Sequence, residues 1–504
     1  MKNMTLQNIA DCLNRPLING AGKEDVEITG AELDSRKIAP GYLFFATRGE
    51  RVDGHDFIPQ AVKKGAVLII CEKEPGEMVP GVTTSGEKEP GEERTSEKIS
   101  SNQVPYIQVE DSFLALKQVA AFYRRQLTIP VVGVTGSVGK TSTREIIAAA
   151  LSGKYRVLRT EGNFNNEVGL PLTLLRIREE HEAAVVEMGI NHFGEMERLT
   201  DIARPDIAVI TNIGQCHLEN LGDRDGVLKA KTAIFQGLPE NGRAVLNGDD
   251  DKLITVKEVR GQKPCFFSMN REIIGREVLS EKEEQRADVY LEIILDTSLL
   301  GSRFIMNIFG ESVEAYVPLP GEHMVTNALA AAAVGHLLGL TNEEIVRGIA
   351  SVKAVDGRSH IIRKDDMTVI DDCYNANPVS VKSAIDLLMS AKGNKTAILG
   401  DMFELGEEEL ALHSQVGEYA ARAGVNRLIC IGRLSKAMVE GARKESGVMM
   451  GGGTCKEIGL YYFPDKESFF EAFMPSDFAG NAVLIKASHG MGFQNIISWL
   501  DRTL

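Results

Sequence analysis

The chain has 504 residues, of which 43% are hydrophobic and 25% charged, and its formal net charge is -15. This length predicts two to four domains, and the acidic balance excludes nucleic acid as the main partner because phosphate binding needs a basic surface. The 7 cysteines form no Cys-x-x-Cys pair, which argues against a zinc site or a disulfide framework. Without an apolar run long enough to cross a bilayer, or an apolar leader after Met1, we expect no membrane span and a cytoplasmic location.

The first region, residues 1–115, is predicted to be a small domain. Short apolar runs at 42–45, 66–70 and 106–109 are typical of strands. A polar stretch at 72–102 separates the last two runs, and its Pro, Gly, Ser and Glu content cannot bury enough apolar surface to offset the entropy of ordering. We therefore predict a flexible surface insertion at 72–102.

The middle region, residues 116–356, alternates strands with helices. Continuous apolar runs of this kind are typical of a parallel sheet that is buried on both faces. From about 262 to 318 the pattern becomes more typical of antiparallel strands. The predicted strands lie at 129–135, 183–186 and 207–210, and the predicted helix lies at 141–151.

The third region, residues 357–504, repeats the alternation and predicts a second doubly wound domain. The whole chain is therefore expected to be an α/β protein of three domains. The strands predicted in the third region lie at 368–370, 396–399, 427–431 and 482–485.

A glycine-rich loop lies between the strand at 129–135 and the helix that follows it. Its glycines let backbone N–H groups face an anion, and the helix adds its positive end. Lys140 can reach the outer phosphates of ATP, and the Thr141 hydroxyl can ligate Mg²⁺. The loop is a shortened variant, because Val134 stands where the first glycine is usual. The ATP-binding residues predicted in this segment are Gly136, Ser137, Gly139, Lys140, Thr141 and Ser142.

Two polar residues follow the next two predicted strands. Glu187 follows the strand at 183–186, and His217 comes shortly after the strand at 207–210. Because ligands of open α/β sheets bind at the carboxyl ends of strands, we expect these side chains to converge with Thr141. A hydroxyl, a carboxylate and an imidazole beside phosphates predict a Mg²⁺ site formed by Thr141, Glu187 and His217.

Motifs in a fixed order along the chain resemble those of the Mur ligases, the ATP-dependent amide-forming ligases of peptidoglycan precursor synthesis. The resemblance spans nearly the whole chain except 72–102. The segments that carry it are Thr135–Thr141, Glu161–Pro171, Glu187–Gly189, Thr211–Leu218, Ala230–Lys231, Leu246–Asp250, Pro320–His323 with Asn327, and Gly357–Arg358.

Further motifs resemble those of the family members that add D-alanyl-D-alanine to UDP-N-acetylmuramoyl-tripeptide. Asp371–Pro378 contains a Tyr-Asn-Ala-Asn-Pro sequence, and Gly400–Gly406 is followed by His413. Asp34–Arg36 and Gly49–His55 resemble the region that holds the uridine nucleotide. The resemblance therefore implies these two substrates, in a chain that we expect to act as a monomer.

The resemblance also implies a mechanism. The tripeptide carboxylate attacks the γ-phosphate of ATP, and the amine of D-alanyl-D-alanine then attacks the resulting acyl phosphate. Two anions meet in the first step, so charge neutralisation dominates. Lys140 and Mg²⁺ held by Thr141 and Glu187 would supply it, with a second Mg²⁺ at His217. Lys231 matches the family lysine that is carbamylated by CO₂.

The remaining candidate residues are assigned by the same resemblance. Further nucleotide-binding candidates are Asn327, Arg358, Asp372 and Tyr374. Candidates for binding the UDP-linked substrate and the dipeptide are Ser35, Arg36, Thr47, Asn163, Asn165, Asn166, Asn375, Asn377 and Lys486.

Three positions depart from the family pattern. Met324 stands where Asn is frequent, Ala233 where Glu is usual, and His489 where Arg is common. Two alternatives are therefore left open by the sequence. One is a related ligase that adds a single amino acid, and the other is a non-catalytic paralogue that only binds nucleotide.

Overall fold

The computed structural model describes residues 1–49, 52–75, 104–273, 286–364, 366–450 and 458–501. The predicted insertion at 72–102 lies outside these residues from 76 onward. The described chain contains three separate sheets, flanked by helices. This architecture confirms the expected three-domain α/β class, while the boundaries at 115 and 356 stay predictions.

The N-terminal sheet is parallel throughout, and its strands follow chain order across the sheet. All but one of the residues in these strands are buried or partly buried, as expected for parallel strands packed between helices. Its strands are β1 (Gly30–Glu32), β2 (Tyr42–Phe45), β3 (Leu68–Cys71) and β4 (Tyr106–Gln108), and its helices are α1 (Leu6–Leu13), α2 (Ile58–Lys63) and α3 (Ser112–Gln126).

The central sheet has nine strands within the part of the chain that the structure describes. Its strands are β5 (Val131–Thr135), β6 (Val157–Arg159), β7 (Ala183–Glu187), β8 (Ile207–Ile210), β9 (Arg243–Asn247), β10 (Cys265–Ser268), β11 (Val289–Ser298), β12 (Gly301–Ile308) and β13 (Glu311–Val317). Its helices are α4 (Lys140–Leu151), α5 (Gly169–Leu174), α6 (Glu195–Ala203), α7 (Leu218–Leu221), α8 (Arg224–Thr232), α9 (Glu322–Leu337) and α10 (Asn342–Ile349).

The strand order of the central sheet, β13-β12-β11-β10-β9-β8-β5-β7-β6, fixes where its ligand site lies. The chain leaves β5 toward β6 and β7 on one side and then crosses to β8 on the other. Such a reversal opens a crevice at the carboxyl ends of the strands. The pairings β11–β12 and β12–β13 are antiparallel, as predicted for the region around 262–318, whereas β10 pairs in parallel.

Among the described residues, the third sheet has the order β14-β15-β19-β16-β17-β18, and its β14–β15 pairing alone is antiparallel. Its strands are β14 (His360–Arg363), β15 (Thr368–Asp371), β16 (Asn394–Gly400), β17 (Arg427–Ile431), β18 (Gly459–Phe463) and β19 (Asn481–Lys486). Its helices are α11 (Pro378–Ser390), α12 (Glu409–Ala423), α13 (Lys436–Met450), α14 (Lys466–Ala472) and α15 (Gln494–Asp501).

Close packing of α12 on α13 supplies a test of this fold. A Cβ atom added at Gly417 would lie 1.8 Å from the carbonyl oxygen of Met438, so the two helices would have to separate. We expect Gly417→Ala to destabilise the protein by about 1–3 kcal/mol despite the better helix propensity of alanine. Differential scanning calorimetry measures the change.

The matched control is Gly459→Ala, because the nearest atom to its added Cβ is a side-chain carbon of Tyr461 at 3.3 Å, which can move. An equal loss of stability in both variants would contradict the packing argument.

Candidate active site

A cavity of about 650 Å³ lies at the carboxyl ends of the central strands, and residues of the third domain also line it. Of the predicted site residues, Gly136, Lys231, Asn163, Ser35, Arg36 and Thr47 do not line it. Those that do are Ser137, Gly139, Lys140, Thr141, Ser142, Asn165, Asn166, Glu187, His217, Asn327, Arg358, Asp372, Tyr374, Asn375, Asn377 and Lys486.

The shape of the glycine-rich loop depends on its two glycines. Gly136 has φ 149° and Gly139 has φ 84°, in the region of positive φ that other residues rarely adopt. The segment after β8 clamps the loop from the side: Asn212 accepts from the backbone N–H of Val138 at 2.9 Å and donates to its carbonyl at 2.9 Å. Thr211 donates to the same carbonyl at 2.6 Å. The loop is therefore held in shape by the neighbouring strand.

Lys140 folds over this loop. Its Nζ donates to the carbonyl oxygens of Gly136 at 2.7 Å and Ser137 at 3.4 Å. Burial lowers the pKa of Lys140, and the Glu187 carboxylate opposes that change. The ammonium group is thus held at the mouth of the anion cradle that the loop and the start of α4 create.

Glu187 lines the cavity, and its carboxylate accepts hydrogen bonds from several side chains. It ends β7 with only 2% of its surface exposed. One carboxylate oxygen accepts from Thr141 at 3.0 Å and from Arg144 at 3.0 Å, and the other accepts from Asn165 at 2.8 Å. A buried carboxylate needs this compensation, because an unpaired buried charge costs several kcal/mol.

The site fits Mg²⁺ by the chemistry of its donors. The Thr141 hydroxyl and a Glu187 oxygen lie 3.0 Å apart, which suits two neighbouring ligands on a hard cation. Within the described part of the chain, no group of three or more His, Cys, Asp or Glu side chains could hold a metal. Phosphate oxygens and water would therefore have to complete the shell, as Mg²⁺ commonly requires.

His217 lines the same cavity and lies just before α7 in the left-handed conformation, with φ 52°. Its Nδ1 lies 2.6 Å from Oε2 of Glu404, which belongs to the third domain. This contact lowers the pKa of Glu404. The predicted metal role of His217 stays a prediction.

The third domain contributes a cationic wall. The Arg358 guanidinium lies 3.9 Å from the centre of the Tyr374 ring, and it donates to the Thr141 hydroxyl at 3.3 Å. Lys486 lies 2.5 Å from an oxygen of Asp372, which fixes the ammonium group. Burial lowers the pKa of Arg358. Arginine, lysine and the glycine-rich loop thus surround one anion-binding volume.

The predicted asparagines divide by what they contact. Asn165 orients Glu187, whereas Asn166 accepts from backbone N–H groups at the start of α5. Asn377 caps α11 through Ser380. These contacts give the three residues a structural use beside the predicted substrate role.

Two further predicted asparagines are placed differently. The side-chain oxygen of Asn375 accepts from the backbone N–H of the next residue, and its backbone carbonyl accepts from Lys486 at 2.9 Å. Asn163 is exposed.

Lys231 is buried on α8, with 1% of its surface exposed. Burial, with Lys140 nearby, lowers its pKa to about 8, which the Cys216 thiol partly opposes. A neutral amine is therefore accessible near physiological pH. A lysine in this setting contrasts with the solvated helix lysine that the local sequence alone suggests.

The three departures from the family pattern each have a defined environment. Met324 is buried at the cavity, where its sulfur lies 3.7 Å from the Asn327 amide nitrogen. His489 packs against the Tyr374 ring at 5.3 Å. Ala233 is buried after α8.

The predicted uridine-binding residues lie at the N-terminal sheet, away from the cavity. Ser35 is buried and donates to Gln60 at 2.6 Å, while Arg36 is exposed and pairs with Asp34 at 2.9 Å. Thr47 follows β2. The ion pair of Glu32 with Arg176 at 2.9 Å joins this domain to the central one.

Sequence reasoning missed Arg144, Asn212 as a loop clamp, and Glu404 as a contact of His217. The last two lie within motifs that were recognised, but their partners are distant along the chain. Arg144 follows Thr141 by one turn of α4, which is a signal that could have placed it on the same face.

No helix in the described ranges is both long and apolar enough to cross a membrane. Three family models match the chain: "Mur ligase family, catalytic domain" at residues 27–124, "Mur ligase middle domain" at 134–335, and "Mur ligase, glutamate ligase domain" at 357–489.

Curated relatives named UDP-N-acetylmuramoyl-tripeptide–D-alanyl-D-alanine ligase are similar over most of their length. The Escherichia coli protein is 37% identical over 87% of this chain and 88% of its own. The Bacillus subtilis protein is 34% identical over 98% of this chain and 97% of its own.

Solved structures of related proteins have the same three-domain architecture. MurF from Acinetobacter baumannii superposes with a TM-score of 0.79 at 28% identity, covering 98% of each chain. The MurF ligase from Thermotoga maritima in complex with ADP gives a TM-score of 0.72 at 27% identity, covering 94% of this chain and 97% of its own.

The clamp on the glycine-rich loop leads to a direct test. A Cβ at Gly136 would lie 1.9 Å from the Thr211 hydroxyl oxygen, so the loop would have to move away from Asn212. We expect Gly136→Ala to weaken binding of a fluorescent ATP analogue at least about tenfold, because backbone donors in the cradle lose their alignment.

Gly261→Ala is the control, since Gly261 also has positive φ, at 75°, but nothing lies within 4 Å of its added Cβ. Equal affinities in the two variants would argue against the clamp.

Proposed function

The chain belongs to the Mur ligase family, and from that premise we infer that it is an ATP-dependent, ADP-forming ligase that joins D-alanyl-D-alanine to UDP-N-acetylmuramoyl-tripeptide. The observation that carries this inference is the single cavity in which the glycine-rich loop, Glu187 and the cationic wall of the third domain meet. The product is the pentapeptide precursor of peptidoglycan.

The first step needs two anions side by side. The tripeptide carboxylate oxygen attacks the γ-phosphorus, the bond from phosphorus to the ADP oxygen breaks, and an acyl phosphate forms. Lys140, Arg358 and the loop N–H groups offset the repulsion, and their burial strengthens the effect. Mg²⁺ held by Thr141 and Glu187 would add charge neutralisation on the phosphate oxygens.

The second step transfers the acyl group. The dipeptide amine attacks the acyl carbon, a tetrahedral intermediate forms, and phosphate leaves as the nitrogen loses its proton. Lys486 and Asn375 lie at the cavity edge on the third domain, held together by the hydrogen bond from the ammonium group to the Asn375 carbonyl. We assign these two residues to the dipeptide side of the site.

Two finer features belong to the same proposal. We assign a second Mg²⁺ to the neighbourhood of His217, because this imidazole lines the cavity and the preceding residue, Cys216, donates to the Ser137 hydroxyl of the glycine-rich loop at 3.1 Å. We assign Ser35, Arg36 and Thr47 to the uridine nucleotide. The salt bridge between Glu32 and Arg176 holds their domain beside the central one.

We also propose a cytoplasmic monomer. ATP and UDP-linked sugars are cytoplasmic metabolites, so the enzyme that consumes them is expected in the same compartment.

The activity is tested by phosphate release. With ATP, Mg²⁺ and the UDP-linked tripeptide present, release should depend on D-alanyl-D-alanine, and Lys140→Ala should lower kcat at least about 100-fold because a charge that meets the developing phosphate charge is lost. Circular dichroism checks that the variant is folded.

Single amino acids in place of the dipeptide serve as the comparison. Faster release with one of them would favour a related ligase of different specificity. Nucleotide binding without any substrate-dependent release would point to a non-catalytic protein.

Lys231 provides a separate prediction. Its pKa of about 8, against an ordinary value of 10.5, makes the neutral amine that reacts with CO₂ available. We expect a carbamate ¹³C resonance in ¹³C-bicarbonate that strengthens as the pH rises from about 7 to about 9, since the neutral fraction increases through the folded pKa.

Lys231→Arg should abolish that resonance, whereas Lys229→Arg, a change at an exposed lysine of the same helix, should leave it intact. A signal that persists in Lys231→Arg would show that another amine carries the carbamate.

A further inference from the structure

The segment Gly400–Gly406 with His413 has no role in the chemistry described so far. It forms the loop after β16, and His413 anchors it from α12. The His413 Nε2 accepts from the backbone N–H of Met402 at 2.9 Å, and Nδ1 lies 2.6 Å from the carbonyl of Glu409. Because a carbonyl only accepts, Nδ1 carries the proton. The buried ring is therefore a neutral, fully used structural brace.

Two more anchors hold the same loop. Asp401 accepts from the backbone N–H of Ser435 at 2.7 Å, and Ser488 accepts from that of Phe403 at 2.9 Å. The loop is thus tied to three parts of the third domain. Such bracing explains how Glu404 can keep a left-handed backbone with φ 62°, which is unfavourable for a residue with a long side chain.

The side chain of Glu404 extends from this strained backbone toward the central domain. Its Oε2 lies 2.6 Å from Nδ1 of His217, which is itself left-handed with φ 52°. Nearby, Gly406 approaches the backbone of Glu219 at the start of α7. Two strained residues on different domains therefore meet at the rim of the cavity. Strain of this kind persists where the surrounding structure enforces it, and it clusters at functional sites.

The contact determines the tautomer of His217. The angles at Nδ1 are not those of a hydrogen bond, but an unprotonated Nδ1 at 2.6 Å from a carboxylate oxygen would place two lone pairs against each other, so we infer that the proton resides on Nδ1. Nε2 is then the nitrogen with a free lone pair. A carboxylate that fixes the tautomer and orientation of a functional imidazole in this way is a frequent second partner in active sites.

We propose that Glu404 is a positioning residue, which on domain closure holds the His217 ring with Nε2 available to the phosphate region of the cavity. The proposal rests on the proposed function in that it takes this cavity as the site of ATP. Since Glu404 and His217 belong to different domains, their contact forms only when the domains are together. Closure and orientation of the imidazole are thereby coupled.

Kinetics of four variants test the role. We expect Glu404→Ala to lower kcat about tenfold or more with an unchanged KM for the dipeptide. Glu404→Gln should retain most of kcat, because its amide oxygen also accepts from Nδ1. Glu404→Gly should lose turnover like the alanine variant without a lower unfolding temperature, since glycine relieves the positive φ. Glu407→Ala, a change at an exposed neighbour, should behave as the wild type.

A second readout does not depend on turnover. In the full chain labelled with ¹⁵N-histidine, with ADP and Mg²⁺ present, the ring resonances of His217 are identified by their loss in His217→Gln among the 9 histidines. The wild type should show the Nδ1-protonated tautomer, and Glu404→Ala should shift the ring toward the other tautomer.

Wild-type turnover in Glu404→Ala, or an unchanged His217 tautomer in that variant, would overturn the proposal. Failure of the wild type to release phosphate in response to the dipeptide would instead refute the proposed function. The ring resonances would still show whether Glu404 determines the His217 tautomer.

Discussion

The buried charge of Glu187 is the constraint on which the site depends. A carboxylate with 2% exposure at the end of β7 is tolerable only because Thr141, Arg144 and Asn165 all bond to it. Those partners come from the helix after β5 and from the loop before α5. The order of β8, β5 and β7 in the sheet brings these elements together. The sheet topology therefore determines which side chains can compensate the buried charge of Glu187.

The same site depends on two domains. Arg358 bonds to Thr141 and Glu404 contacts His217, so each end of the central cavity has a partner from the third domain. Each contact joins only one pair of side chains, and an exposed ion pair contributes little to the free energy of unfolding. Their value is geometric, because they fix a guanidinium group and an imidazole at the cavity that residues of both domains line.

Long apolar runs and motifs made much of the fold and of the candidate site predictable from the sequence. The strands β5, β7 and β8 and the helix α4 followed from continuous hydrophobic segments and from the glycine-rich loop between them. The strands β1 and β6 were not predicted, because Gly30–Glu32 and Val157–Arg159 each end in a charged residue and form no apolar run of the kind that marked the other strands. Glu187 and His217 were predictable since both follow strands whose ends meet at one edge of the sheet.

What the sequence could not supply were contacts between residues far apart along the chain. The burial of Lys231 and the bond between Asn212 and the loop depend on tertiary packing, which no local pattern records. Ser35 and Arg36 illustrate the converse, because a local motif marked them while the structure places them outside the main cavity. The ion pair of Glu32 with Arg176 joins their domain to the central one.

The division of the cavity between two domains also bears on how the protein could be inhibited. A compound that occupied the glycine-rich loop alone would resemble the many ligands that recognise such loops in other ATP-binding proteins. A compound that touched both this loop and the start of α11 would gain selectivity from a pair of surfaces that few proteins bring together. Because such a compound would bind residues of both domains, it would also stabilise the arrangement in which the two sheets lie together.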